Sequence, residues 1–240
     1  MIYSADGNTF AIHDYAKNNK APLQRFEEGV DGYIELYASK QADYKMIIVN
    51  KDMTTAEMCG NAIRCIIKYL RENNINTNKK INIETDAGII KTKLVYHPLG
   101  DKLHISMVPA TLYTHGVIDG YLVDPVDVGN PHAVVYVESL ECVTEDIAKG
   151  IQEYKNELEE LVFPNGVNVE FACVRDDGIY VRVFERGVGE TQSCGTGACA
   201  VALVSYFNEL CGDNVTIKMK GGDIDVKVKF KVATMITNLI

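Results

Sequence analysis

Two short segments constrain this chain more than anything else in it: Cys59-Gly-Asn-Ala-Ile-Arg-Cys65 and Cys194-Gly-Thr-Gly-Ala-Cys-Ala200. Each begins with Cys-Gly and a small polar residue, and each runs straight into an apolar helical pattern. Each therefore puts a thiol beside the unpaired backbone N–H groups of a helix start, where a thiolate is favoured. With one such thiol in each half of 240 residues, one chemistry stands out. A proton leaves one face of a carbon, and another returns to the opposite face.

The pattern around each motif predicts similar halves. In the first half, Lys45–Asn50, Ile81–Thr85, Ile89–His97 and Lys102–Val108 have strand character. Ala62–Glu72 reads as a helix with Ile63, Ile66, Ile67 and Leu70 inward and Arg64, Lys68 and Arg71 outward. In the second half, Tyr121–Val128, His132–Glu138, Val167–Val174 and Ile179–Phe184 read as strands. A charged helix is expected over Glu145–Leu161, and an apolar one over Gly197–Leu210 that must be buried on nearly all sides. The tail Asp223–Val232 alternates strictly, with Val226, Val228, Phe230 and Val232 inward. Order and motif together predict an α+β fold of two pseudo-symmetric lobes. Each lobe is a curved, mostly antiparallel sheet around a central helix, with the active site in the cleft between them. The first lobe is expected over residues 1–115 and the second over 116–225. A tail strand, 226–240, returns to the first. Tyr113–Asp119 shows no apolar period and reads as the linker.

Composition excludes several classes. A net charge of -9 disfavours nucleic acid or an anionic membrane surface as partner. No apolar run approaches a membrane span, and the first residues lack the basic and apolar regions of a signal peptide. Seven cysteines, odd in number and unlike a secreted framework, predict free thiols in a reducing cytoplasm. Neither Cys59/Cys65 nor Cys194/Cys199 has zinc-ligand spacing, so no metal is expected. Cys65, Cys142, Cys173, Cys199 and Cys211 read as small buried apolar residues.

Five stretches, in order, resemble the diaminopimelate epimerase family. They are Gly7-Asn8-Thr9-Phe10; Asn50 with the Cys59 block nine residues later; Gly129-Asn130-Pro131-His132; Phe163-Pro164 through Asn168-Val-Glu-Phe; and Glu185-Arg186 running on to Cys194-Gly-Thr-Gly-Ala-Cys. Thr9 stands where the family usually has Asp, and the tail lacks the usual Gly-Pro-Ala ending. The resemblance implies an epimerase without PLP or any other cofactor, acting as a homodimer on a small-molecule substrate in lysine biosynthesis. It implies that Cys59 and Cys194 are the catalytic pair, with His132 and Glu185 tuning their protonation. Substrate would be held by Asn8, Asn50, Gly60, Asn61, Asn130, Asn168, Glu185, Arg186, Gly195 and Thr196.

The chemistry gives these residue types a reason. An amino acid's α-proton is very weakly acidic, and without PLP there is no electron sink. One cysteine must act as thiolate base while the other delivers a proton as thiol. The N–H groups after each cysteine can bind an α-carboxylate and stabilise charge as the carbanion develops. Arg186 is a forked donor suited to the distal carboxylate, and the four asparagines can donate or accept. Two alternatives stand beside this reading: a PLP-independent racemase of another amino acid, and a thiol hydrolase using His132 as base.

Overall fold

The computed structural model describes residues 1–5, 8–16, 29–51, 53–98, 100–155 and 162–239. The chain divides into two compact units, one of residues 1–108 with 236–240 and one of residues 109–235. The fold is α+β, with strands in mixed pairings and three α-helices among the described residues: α1 (Gly60–Glu72), α2 (Glu145–Gln152) and α3 (Gly195–Phe207).

In the first unit, Ile2–Ala5 and Asn8–Asp14 form an antiparallel pair. Asn8–Asp14 then pairs in parallel with Gly32–Tyr37, which lies antiparallel to Tyr44–Asn50. The short strand Thr55–Ala56 folds back on Tyr44–Asn50 just before α1. After the helix, Lys80–Thr85 returns in parallel beside Tyr44–Asn50 and leads into the antiparallel strands Gly88–Val95 and Lys102–Ser106.

The second unit repeats this connectivity. Tyr121–Asp127 and Pro131–Tyr136 are antiparallel, Asn168–Arg175 joins in parallel, and Gly178–Glu185 follows antiparallel. The short strand Gly189–Thr191 folds back on Gly178–Glu185 immediately before α3. Asn214–Met219 then returns in parallel, with Gly222–Lys229 antiparallel to it. In both units a helix begun by a cysteine sits between an antiparallel pair and a returning parallel strand.

Sequence explains the two helices differently. In α1 the residues Ile63, Ile66, Ile67 and Leu70 are buried, as their spacing requires. Arg64, expected on the solvent side, is buried too. Its guanidinium donates to Asn61 Oδ1 (3.2 Å) and to the Asn238 carbonyl (3.4 Å). The C-terminal segment returns to α1 and supplies that acceptor, which no helical period reveals. In α3 every residue from Gly195 to Ser205 is buried, matching its lack of charge.

Strand Asn168–Arg175 is buried on both faces over most of its length. Val169 and Phe171 point into a core shared with Ala148 and Ile151 of α2. Phe171 meets Tyr121 and Phe184 edge to face, with centroids 6.4 and 5.8 Å apart. Asn168 and Glu170 occupy the alternate face, on the side of α3.

Several expectations are corrected. The strands of the first 37 residues carry no clear alternation and were not foreseen. Gly116–Ile118, within the expected linker, forms a hairpin with Tyr121–Asp127. The α2 helix spans Glu145–Gln152 and is capped by Thr144, whose hydroxyl accepts from Ile147 N–H. Residues 156–161 of the expected helix lie outside the described residues. The tail is two strands, Gly222–Lys229 and Val232–Asn238. Phe230 sits in the turn between them with φ 54 and 79% exposure, so the inward phase passes to Ala233 and Met235. Among the described residues, no helix is long and apolar enough to cross a membrane.

Candidate active site

Each cysteine of the paired motifs is the N-cap of its helix, with extended backbone: Cys59 at φ -144, ψ 121 and Cys194 at φ -134, ψ 112. Extended geometry at this position leaves the first helical N–H groups to turn toward the thiol or a ligand. Gly197 N–H donates to Cys194 Sγ at 3.3 Å, and Thr196 Oγ1 lies within hydrogen-bond reach of the same sulfur at 3.3 Å. None of the seven cysteines is joined in a disulfide.

The shared connectivity places equivalent polar groups beside each helix start. In the first unit Asn8, at the head of its strand, accepts a hydrogen bond from Asn61, two residues after Cys59 (2.9 Å). In the second, Asn130 donates to Thr196, two residues after Cys194 (3.3 Å). Asn50, at the end of strand Tyr44–Asn50, donates to Thr54 Oγ1 at 3.0 Å. Glu185, at the end of strand Gly178–Glu185, accepts from Thr191 Oγ1 at 2.5 Å. These hydrogen bonds fix the orientation of each side chain.

In the second unit Thr196 lies against Cys194 and Asn130 against Thr196, while the Glu185 carboxylate is close enough to act on the thiol's charge. Asn168 is a brace. Its Nδ2 donates to the Pro131 carbonyl (3.1 Å) and its Oδ1 accepts from Arg186 N–H (2.9 Å). The Arg186 stem crosses directly over Gly166, where an added Cβ would lie 2.6 Å from Arg186 Cδ, and its Nη1 donates to the Asn165 carbonyl at 2.8 Å. His132 is expected to tune a thiol. It does not touch Cys194 directly; its Nε2 lies 3.1 Å from Asn130 Oδ1, and Asn130 leads on to Thr196.

The electrostatics correct one expectation. A helix start lowers a thiol's pKa, but Cys194 is only 7% exposed, and its pKa is pushed well up. Burial is the main cause, followed by the nearby carboxylates of Glu185 and Glu170; Thr196 and the Gly197 N–H pull the other way. The shift favours the protonated thiol at Cys194. Burial likewise raises the Glu185 carboxyl, with Thr191 opposing and Glu170 adding to the rise.

Glu170 was not singled out from sequence. It is fully buried, and its Oε1 lies 2.7 Å from His132 Nδ1. The available signal was a lone carboxylate within the otherwise uncharged run Val167–Val174, two residues after Asn168.

Known proteins resemble this chain along most of its length. The family model described as "Diaminopimelate epimerase" matches residues 16–102 and 125–238. A diaminopimelate epimerase of Pelotomaculum thermopropionicum is 36% identical over 92% of this chain and 88% of its own. One from Methanococcus maripaludis is 36% identical over 85% of this chain and 79% of its own. Among solved structures, a hydroxyproline epimerase from Agrobacterium vitis superposes with a TM-score of 0.74 at 16% identity, covering 98% of this chain and 86% of that one. A Bacillus anthracis protein of the PhzF family gives 0.70 at 15% identity, covering 98% and 92%. At such identities the structural likeness speaks for the fold. By motif, by family model and by relatives along most of its length, the chain belongs to the diaminopimelate epimerase family.

Proposed function

We propose that this chain is an isomerase interconverting LL- and meso-diaminopimelate in lysine biosynthesis, with Cys59 and Cys194 as the two bases. The observation that carries the mechanism is the repeated site. Each unit starts a buried helix with a cysteine at the N-cap and presets an amide or hydroxyl two residues later. One thiolate takes the α-proton while the opposite thiol delivers one, and the roles exchange when the reaction runs backward. The raised pKa of Cys194 supports it as the acid at rest.

The N–H groups of Gly60, Asn61, Gly195 and Thr196 hold the α-carboxylate and take up charge as the carbanion develops. Arg186, its backbone fixed by Asn168, pairs with the distal carboxylate, and Glu185 holds an ammonium. Asn8, Asn50 and Asn130 complete the polar lining. The reaction needs no PLP and no metal in this scheme. A cytoplasmic homodimer is the form in which the family resemblance casts it.

Racemisation of another amino acid is not favoured. The family match and the relatives at 36% identity are diaminopimelate epimerases, whereas the hydroxyproline epimerase shares 16%. A thiol hydrolase using His132 as base is disfavoured by geometry, since both ring nitrogens are already engaged by Glu170 and Asn130.

Chiral chromatography of LL-diaminopimelate incubated with the purified protein tests the substrate. Conversion to the meso isomer until LL and meso forms reach equilibrium, with no cofactor added, is the expected result. A protein that leaves LL-diaminopimelate unchanged but racemises proline or hydroxyproline sinks the substrate assignment.

A further inference from the structure

The shared connectivity of the two units exposes one place where they differ. Counting from the paired asparagines, Phe10 of the first unit corresponds to His132 of the second. The strand registers pair Phe10 with Gly32 and His132 with Asn168, so Ile34 corresponds to Glu170. Phe10 and Ile34 are buried apolar residues. In the second unit the same two places hold a buried histidine and a buried carboxylate, 2.7 Å apart.

The helix start differs in step. Three residues after its cysteine, α1 has Ala62 and α3 has Gly197. A Cβ on Gly197 would meet Glu170 Oε1 at 2.7 Å, closer than a Cβ can sit. The glycine is what makes room for the carboxylate against α3.

A buried His–Glu pair is costly to desolvate, and apolar residues of similar volume are often as stable or more so. The first unit shows that this architecture closes without one. Among the described residues, Glu170 Oε2 is also buried with no hydrogen-bond partner, a cost that folding alone does not explain.

The pair does have an outlet. From Glu170 the contacts run to His132 Nδ1, from His132 Nε2 to Asn130 Oδ1, from Asn130 Nδ2 to Thr196 Oγ1, and from Thr196 to Cys194 Sγ. The direction of this chain is set by its geometry. Asn130 presents oxygen to His132, so Nε2 must be the donor. Asn130 then donates to Thr196 Oγ1, which leaves the hydroxyl proton free to point at the sulfur. All the donors converge on Cys194, the arrangement that suits the sulfur when it carries negative charge.

We propose that Glu170 is a positioning residue for Cys194: by sharing one proton with His132 Nδ1 it keeps Nε2 a donor and aims the His132–Asn130–Thr196 chain at the thiol. No bond to substrate is involved, and the shared proton stays within the pair. Glu170 serves only one of the two thiols. The device rests on the epimerase reading above and adds an asymmetry between its two bases.

Two measurements test it together, steady-state kinetics on diaminopimelate and proton NMR of the 15N-histidine-labelled full chain. In the wild type, the shared Nδ1 proton is expected as a strongly downfield signal assigned to His132. Glu170→Gln is expected to remove that signal. It should lower kcat roughly 30-fold or more per folded molecule, with KM within about threefold, because a lost acid–base aid acts on the chemical step. Glu170→Asp keeps a carboxylate and is expected to retain the signal and part of kcat. It also serves as the test variant if the glutamine form fails to fold.

A wild type without the downfield signal overturns the assignment. So does a Glu170→Gln protein whose only defect is a lower melting temperature, with normal kcat, or a Glu170→Asp protein that loses the signal yet keeps normal kcat. If the wild type is inactive on diaminopimelate, the substrate reading fails. The wild-type signal and its loss in Glu170→Gln still decide the role of Glu170.

Discussion

Replacing either Cys59 or Cys194 by serine is expected to slow diaminopimelate turnover by about 1000-fold or more, each substitution alone being enough. A serine hydroxyl is a far weaker acid than a thiol, so it neither holds the negative charge of the base nor returns a proton at a useful rate. In the proposed scheme every turnover uses both groups in either direction, so the two variants are expected to fail alike. Folding should survive in both. At position 194 the hydroxyl inherits the Gly197 N–H and the Thr196 contact that the sulfur now has. Initial rates from LL- and from meso-diaminopimelate, with a melting curve on each variant, provide the check. Near-normal rates in either variant, or equal damage to rate and stability, would rule out the two-thiol scheme.

The second large effect is on stability. Phe171→Ala is expected to cost about 3–5 kcal/mol, a large share of the roughly 5–15 kcal/mol that holds a typical protein folded. Phe171 is among the largest fully buried side chains, and its ring is gripped edge to face by Tyr121 and Phe184. Truncation leaves a cavity between the sheet and α2 that strand backbone cannot collapse to fill. Its strand also carries Asn168 and Glu170 on the opposite face, so activity should fall once the strand loosens. Urea unfolding followed by circular dichroism reads the loss. A shift below about 1 kcal/mol would mean that this core does not bear the stability assigned to it.

Much of this was legible in the sequence, and the exceptions have physical causes. The two helix starts were readable because a Cys-Gly step followed by apolar spacing is a local signal. The buried character of α3 was readable because it lacks charge from Gly195 to Phe207. Arg64 was misplaced because its acceptors, Asn61 and the Asn238 carbonyl, include one from the far end of the chain. Phe230 was misplaced because the alternation continues through Lys229-Phe230-Lys231 while the backbone turns there, with no glycine or asparagine to mark it. Glu170 escaped for a related reason. In a strand, alternate residues point to opposite faces, and a carboxylate on one of them reads as solvent-facing until α3 is seen to cover it. The lowered thiol pKa expected at a helix start was outweighed at Cys194 by burial, a quantity that local sequence does not report.

The most direct measurement is the exchange pattern of LL-diaminopimelate in D2O, followed at Cα by NMR from the first turnovers. Two thiols acting from opposite faces put solvent deuterium into the newly formed meso product, at the inverted centre only. Substrate recovered early stays largely protiated, because the base that removed the proton is not the group that returns one. Deuterium accumulating in recovered LL substrate as fast as in product would point to a single base, and no exchange at any centre would mean that this chain does not perform the reaction.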